Sequence, residues 1–228
     1  MDGVREQIEG KVVLVTGAGG SVGAELCRQI ALHNPARLVM LDHDDSRLME
    51  SWLSLPAPSP ARWHDLLLGD IRDLGALCQL VGPVHPDVVF HAAMLSDRGL
   101  LEHFPREGFL TNVNGTRNVL EASTLAGVGL FVHVSSSAAA DNGSVLGQTL
   151  QMAEEMTARW ARDGMGRYLS VRLGERPSGR RTAAAGLAEV CRQLLSVTAS
   201  GFDGVVVDAT ADSPSPQGLF APGFPAVP

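Results

Sequence analysis

The stretch KVVLVTGAGGSVGAELCRQIAL (11–32) passes from a β-branched apolar run, through a glycine-rich turn, into a helical pattern. Gly17, Gly20 and Gly23 stand at GxxGxxG spacing, with Gly19, Ser21 and Val22 completing the turn. In such a turn the first glycine makes the tight bend, the second lets backbone approach a pyrophosphate, and the third lets helix and strand pack closely. The following helix begins with free N–H groups, which favour an anion. Glycines also serve plain turns and packing, so the motif takes its meaning from its strand, turn and helix setting. The next apolar run, ARLVMLD, ends at Asp42. A carboxylate about 20 residues beyond the glycines accepts from both ribose hydroxyls and repels a 2′-phosphate. The reading is a dinucleotide site that takes NAD in preference to NADP, with His43 beside Asp42 in contact with the cofactor. Asp42 has a competing role as a cap for the next helix, a task open equally to Asp44 and Asp45. His43 and Arg47 are the neighbours able to meet a phosphate instead.

Outward from this stretch, short apolar runs alternate with helical patterns. The runs cover 11–16, 36–42, 63–70, 86–92, 130–135, 168–174 and 204–209, and helices are predicted near 21–33, 44–54, 73–82, 106–127, 145–163 and 183–199. This alternation specifies an α/β fold with right-handed crossovers and a doubly wound parallel sheet, the Rossmann fold. At 228 residues, 45% hydrophobic, one domain is expected over 1–210. SLPAPSPAR (54–62) reads as a surface loop, and the proline-rich end, 211–228, as a disordered tail or an arm laid over a surface.

A net charge of −7 argues against a nucleic-acid surface, and no apolar run approaches a membrane span or a signal segment. Cys27, Cys78 and Cys191 lie far apart, odd in number and without metal-ligand spacing, so a reduced cytoplasmic setting without a metal site is expected.

With these residues in view, the chain resembles the extended short-chain dehydrogenase/reductases, and within them the CapD-like polysaccharide-biosynthesis group that includes UDP-N-acetylglucosamine 4,6-dehydratases. The resemblance rests on the glycine stretch, NPARLVMLDHDDSRL, GDIRD (69–73), PDVVFHAAML (86–95) and PREGFLTNVNGTRNVLEAS (105–123), and runs continuously over about 10–135. It implies that Asp70 and Ile71 lie by the adenine and that Ala92 and Ala93 lie along the dinucleotide. It further implies that Asn112 is the family's helix asparagine, and that Ser136 is the Ser/Thr closing the fifth strand. Asp70 alternatively caps a turn, and Asn112 is alternatively a buried hydrogen-bonding residue. Helices near 106–127 and 145–163 correspond to a homodimer interface in many relatives.

The pattern then breaks. Where the family has a segment like STDKAV followed by MGATK or YxxxK, this chain has Ser135–Ala139 and Leu146–Leu150, with Leu at both key helix positions. The only tyrosine, Tyr168, starts the sixth strand, and the only lysine, Lys11, starts the first, at the edge away from the strand C-termini. The Tyr/Lys proton relay is therefore missing, and Leu146 with Leu150 reads as ordinary apolar packing at i and i+4. The family's Lys-His pair beside the substrate becomes Asp97-Arg98, the Asn after VRLG becomes Glu175, and the C-terminal substrate portion is reduced. His91 and His133 read as structural. Ser136, Asp97 and Arg98 are the polar candidates for catalysis. Two functions are compatible with these residues: an atypical NAD(P)-dependent oxidoreductase or dehydratase acting on a sugar nucleotide or specialised metabolite, and a catalytically inactive dinucleotide-binding module that senses or supports a partner.

Overall fold

The computed structural model describes residues 2–56, 61–163, 166–174, 180–208 and 216–217. Among them, seven parallel strands form one sheet: β1 (Val12–Thr16), β2 (Arg37–Asp42), β3 (Leu66–Leu68), β4 (Val88–His91), β5 (Leu130–Ser136), β6 (Arg167–Leu173) and β7 (Val206–Asp208). A two-residue strand, β8 (Pro216–Gln217), joins β7 antiparallel, and the order across the sheet is β3-β2-β1-β4-β5-β6-β7-β8. Of the proline-rich end, only this pair is described; residues 57–60 of the expected loop and Glu175 fall outside the described residues.

The strands are near-continuous apolar runs because both faces are covered. Val13, Val15, Leu38, Met40, Val132 and Val171 pack on one side, with Leu26, Cys27 and Ile30 of α2 (Ser21–Ala31) and Cys191, Leu194 and Leu195 of α9 (Arg180–Thr198). Leu14, Val39, Leu41, Val89 and Phe131 pack on the other, with Leu77 and Val81 of α4 (Leu74–Val81) and Val119, Leu120 and Ala122 of α7 (Thr116–Leu125). The alternation of neighbouring residues between two clusters is the period-2 geometry of a strand, applied to a sheet buried on both faces.

Three local features depart from expectation. A helix, α1 (Asp2–Ile8), forms at the charged N-terminus, because Ile8 is buried in the α2/α9 layer and Gln7 Nε2 donates to the Thr198 carbonyl. The expected 63–70 strand shortens to three residues, because Asp65 turns to accept from Arg62 N and to pair with Arg37. The expected 106–127 helix becomes α6 (Pro105–Gly108), a π-helical stretch (Phe109–Gly115) and α7, preceded by α5 (Arg98–His103). α3 (Asp45–Leu53) and α8 (Val145–Asp163) form close to their expected places. No described helix is long and apolar enough to cross a membrane.

Candidate functional site

Strand order reverses between β1 and β4, and a crevice opens beyond their carboxyl ends, where open α/β sheets take their ligands. A cleft of ≈ 360 Å³ occupies it, walled by the turn after β1, the ends of β2 and β4, and the segment after β3. Gly17 has φ +71°, and a Cβ there would lie 2.6 Å from the backbone N and Cα of Ala93. A Cβ on Gly23 would overlap the Gly17 carbonyl oxygen. The turn is thus pressed against the β4 end from one side and against its own helix from the other. Gly20 caps α2 in extended conformation without a side-chain cap, and the first helical turn carries no acid. That leaves the positive end of an eleven-residue helix toward the cleft, an arrangement suited to a diphosphate.

At the end of β2, the buried Asp42 accepts from Gly19 N at 2.8 Å through Oδ2 and from Asp44 N at 3.0 Å through Oδ1. Asp44, not Asp42, caps α3, accepting from Arg47 N. The cap alternative for Asp42 is therefore excluded, and its carboxylate keeps acceptor capacity toward the cleft. His43 lies 3.2 Å from Asp42 Oδ1, and both His43 and Arg47 line the same wall.

Asp70, after β3, accepts from Arg72 through its backbone N and its guanidinium; Arg72 also reaches Glu107 of α6 at 3.2 Å. Hydrogen bonding to Arg72 holds the Asp70 carboxyl below its ordinary value, and the same bond raises Arg72. Ile71, Arg72 and Glu107 all line the cleft.

Beneath Ala92 and Ala93 lies a buried polar chain. Thr116 Oγ1 donates to the Asn112 carbonyl at 2.6 Å, so it must accept from His91 Nε2–H at 2.9 Å. His91 Nδ1 is then left to accept from Thr16 Oγ1 at 2.7 Å. Burial, followed by the neighbouring His133, drives the His91 pKa far below its usual value, so the ring is neutral and its tautomer is set by this chain. His133 stacks on His91 with ring centroids 5.7 Å apart and meets Ser170 Oγ at 3.1 Å. Both rings are thus buried and hydrogen-bonded within the sheet. The Asn112 side chain, in the π-helical stretch, accepts from Leu95 N and donates to Leu95 O and Thr149 Oγ1. It ties the cleft wall to α8, and wide helical turns of this kind recur at functional sites.

The segment after β5 is arranged differently. Ser136 Oγ accepts from Ala138 N and caps the short turn Ser137–Ala140. Asp97 caps α5 by accepting from Leu100 N, and Arg98 pairs with Asp141 at 2.6 Å. None of Ser136, Asp97 and Arg98 lies in the wall of the cleft. Leu146 and Leu150 form a small apolar cluster with Leu101 and Ala139. One turn further along α8, the fully buried Glu154 accepts from Ser135 Oγ at 2.6 Å and from Arg172 of β6 at 2.8 and 2.6 Å.

Sequence reasoning missed Glu154, Arg172, Arg72 and Glu107. Glu154 was signalled faintly, as a charge in i+4 register with Leu146 and Leu150 on an apolar stripe, and Arg172 as a charge between Val171 and Leu173 in a buried strand. Among the described residues no cluster of His, Cys, Asp and Glu is arranged to hold a metal.

A family model described as polysaccharide biosynthesis protein matches residues 13–176. The chain is 34% identical over 173 residues to the probable polysaccharide biosynthesis protein EpsC of Bacillus subtilis (strain 168), covering 75% of this chain and 29% of that protein. It is 30% identical over 152 residues to the capsular polysaccharide biosynthesis protein CapD of Staphylococcus aureus, covering 66% and 25%. Among solved structures, UDP-glucose 4-epimerase from Brucella ovis in complex with NAD is similar at a TM-score of 0.61 and 25% identity, over 74% of this chain and 53% of that one. The chain thus spans between 25% and 29% of the length of those two curated relatives.

Proposed function

The chain belongs to the polysaccharide biosynthesis protein family, among the extended short-chain dehydrogenase/reductases, and from that premise we propose that it binds NAD in the β1–β4 cleft and acts on a sugar nucleotide as an oxidoreductase or dehydratase. The observation that carries this reading is convergence: Gly17, Gly20, Asp42, His43, Asp70, Ile71, Ala92 and Ala93, from four loops of the chain, line one cleft at the point where strand order reverses. The residues fit the dinucleotide. Gly20, the N-cap of α2, carries no side chain to keep a diphosphate from the first N–H groups of the helix, and Asp42 offers acceptor capacity to a ribose while opposing a 2′-phosphate. When bound, the nicotinamide supplies hydride exchange. The chain's own part is to orient it through Ala92, Ala93 and the Asn112-braced Leu95, and to hold a substrate near Ser136, Asp97 and Arg98.

Proton transfer has no Tyr/Lys relay here, so Ser136 acts by hydrogen bonding and Asp97 as a weak base. General acid/base assistance is worth about 10²–10⁴-fold, so its loss slows hydride transfer without forbidding it. UDP-N-acetylglucosamine 4,6-dehydration is expected to be negligible. A second reading, dinucleotide binding without turnover in service of a partner, draws its support from the apolar packing of Leu146 and Leu150. Both readings include a homodimer through α7 and α8 and a cytoplasmic setting, the latter in keeping with three unpaired cysteines.

The test is calorimetry with NAD(H) and NADP(H), joined to turnover assays on sugar nucleotides with wild type, Ser136→Ala and Asp97→Asn. Binding of NAD(H) that is lost in Gly20→Leu, with preference for NADP(H) emerging in Asp42→Ala, is the expected result. No binding of either dinucleotide at millimolar concentration would refute the reading. Turnover unaffected by Ser136→Ala and Asp97→Asn would remove both from the chemistry.

A further inference from the structure

A dinucleotide laid along the carboxyl ends of the strands would run from β2 across β1 and β4 toward β5, and its two halves would meet different ground. The cleft covers the first part of that path. Its wall ends at Met94, Leu95 and Thr111, and among the described residues none that follows β5 belongs to it. Beyond that wall the turn Ser137–Ala140 is folded down on α8, so closely that a Cβ on Gly147 would lie 1.9 Å from the Asp141 carbonyl oxygen and 2.7 Å from that of Ala138. α5 is strapped over the turn. Its Leu101, 2% exposed, packs with Ala139, Leu146 and Leu150, and a Cβ on Gly108 of α6 would lie 3.0 Å from Leu101 Cδ2. Two polar ties hold the strap: Arg98 pairs with Asp141 at 2.6 Å, and Glu102 Oε1 accepts from Val145 N at 2.9 Å.

We propose, resting on the dinucleotide reading and sharpening its form without turnover, that the cleft recognises adenosine diphosphate esters by their adenosine diphosphate half alone, because α5 closes the ground on which a nicotinamide would lie. The group carried beyond the diphosphate then stays in solvent. A ribose and a carboxamide pressed against Leu101, Leu146 and Leu150 would give up water and receive no hydrogen bonds in return, so remaining hydrated is the lower-energy arrangement. The leucines that stand at the positions of the missing proton relay thereby have a task of their own: together with Leu101 and Ala139 they make the closure.

The experiment titrates wild type by calorimetry with ADP-ribose, ADP-glucose and NADH, which share the adenosine diphosphate ester and differ beyond it, and follows the emission of NADH as it binds. The affinities are expected to agree within about threefold, since the groups that differ make no contact with the chain. The NADH emission maximum is expected to stay where it stands in water. Glu102→Gln combined with Asp141→Asn loosens the strap at residues outside the cleft wall, and is expected to leave ADP-ribose affinity within about threefold of wild type. An affinity for NADH about tenfold or more above that for ADP-ribose and ADP-glucose, the gain from one or two further hydrogen bonds, overturns the proposal. A shift of NADH emission to shorter wavelength on binding does the same, as does a loss of about tenfold in ADP-ribose affinity in the strap variant with its circular dichroism unchanged. Failure of folded wild type to bind any of these nucleotides overturns the dinucleotide reading and this inference together, whereas the preceding outcomes overturn this inference alone.

Discussion

Acidification should destabilise this protein well above the range in which its carboxylates titrate, and His133 accounts for a definable share. The ring sits in the middle of β5, buried, stacked on His91 and bonded to Ser170 Oγ. Burial pushes its pKa down to about 4, whereas an unfolded chain restores it to about 6.5. Between these values the unfolded state holds more protons than the folded one, so stability rises with pH and is lost as pH falls from 6.5 toward 4. Each pKa unit is worth about 1.4 kcal/mol, which gives a loss from His133 of about 2 kcal/mol at pH 5 and about 3 kcal/mol at pH 4. His91 works in the same direction, and Asp70, whose pKa is lowered by Arg72, contributes only below the ordinary carboxylate range. Urea denaturation of wild type and His133→Asn at about pH 7.5 and pH 5 isolates the ring: the variant should lose about 2 kcal/mol less than wild type over that interval. Equal losses in the two proteins would refute a neutral buried His133.

Gly23→Ala should destabilise the fold by about 2 kcal/mol or more and abolish dinucleotide binding, because its Cβ overlaps the Gly17 carbonyl; calorimetry and denaturant titration check it, and wild-type values in both would contradict the packing given to the turn. Arg172→Met leaves Glu154 buried without its counter-ion and should cost about 3–5 kcal/mol, while the double change with Glu154→Leu should recover most of that loss; absence of recovery would mean the pair is not the source of the cost. Leu150→Lys should place an ammonium among Leu101, Ala139 and Leu146 and lower stability by several kcal/mol without creating dehydratase turnover, and a thermal melt unchanged from wild type would show that the site is open to water.

The α/β alternation, the glycine turn and the carboxylate closing β2 are legible without coordinates, because each is a demand that consecutive residues meet by themselves. A strand buried on both faces must be apolar throughout, and a turn pressed between a strand end and a helix must lack Cβ atoms. The split of the 106–127 helix was not legible. Its helical pattern is continuous, and the wide turn is set by Asn112 reaching back to the Leu95 backbone and across to Thr149. Nor was α1, whose residues Gln7 and Ile8 are held by an α9 layer far along the chain.

The sequence by itself determined the seven parallel strands, the glycine turn after the first of them, and that no tyrosine or lysine stands where the family's proton relay would need them. Only the tertiary structure decided how the remaining charges are used. Arg72 meets Glu107 35 positions away because the winding of the sheet brings the loop after β3 beside α6, and Glu154 meets Arg172 18 positions away because α8 packs back on β6, the strand that follows it. A charge's partner depends on which segments become neighbours in space; for the fully buried Glu154 the pairing is also obligatory, since an ion removed from water without a counter-ion is too costly to keep, whereas the exposed Arg72–Glu107 pair carries no such demand.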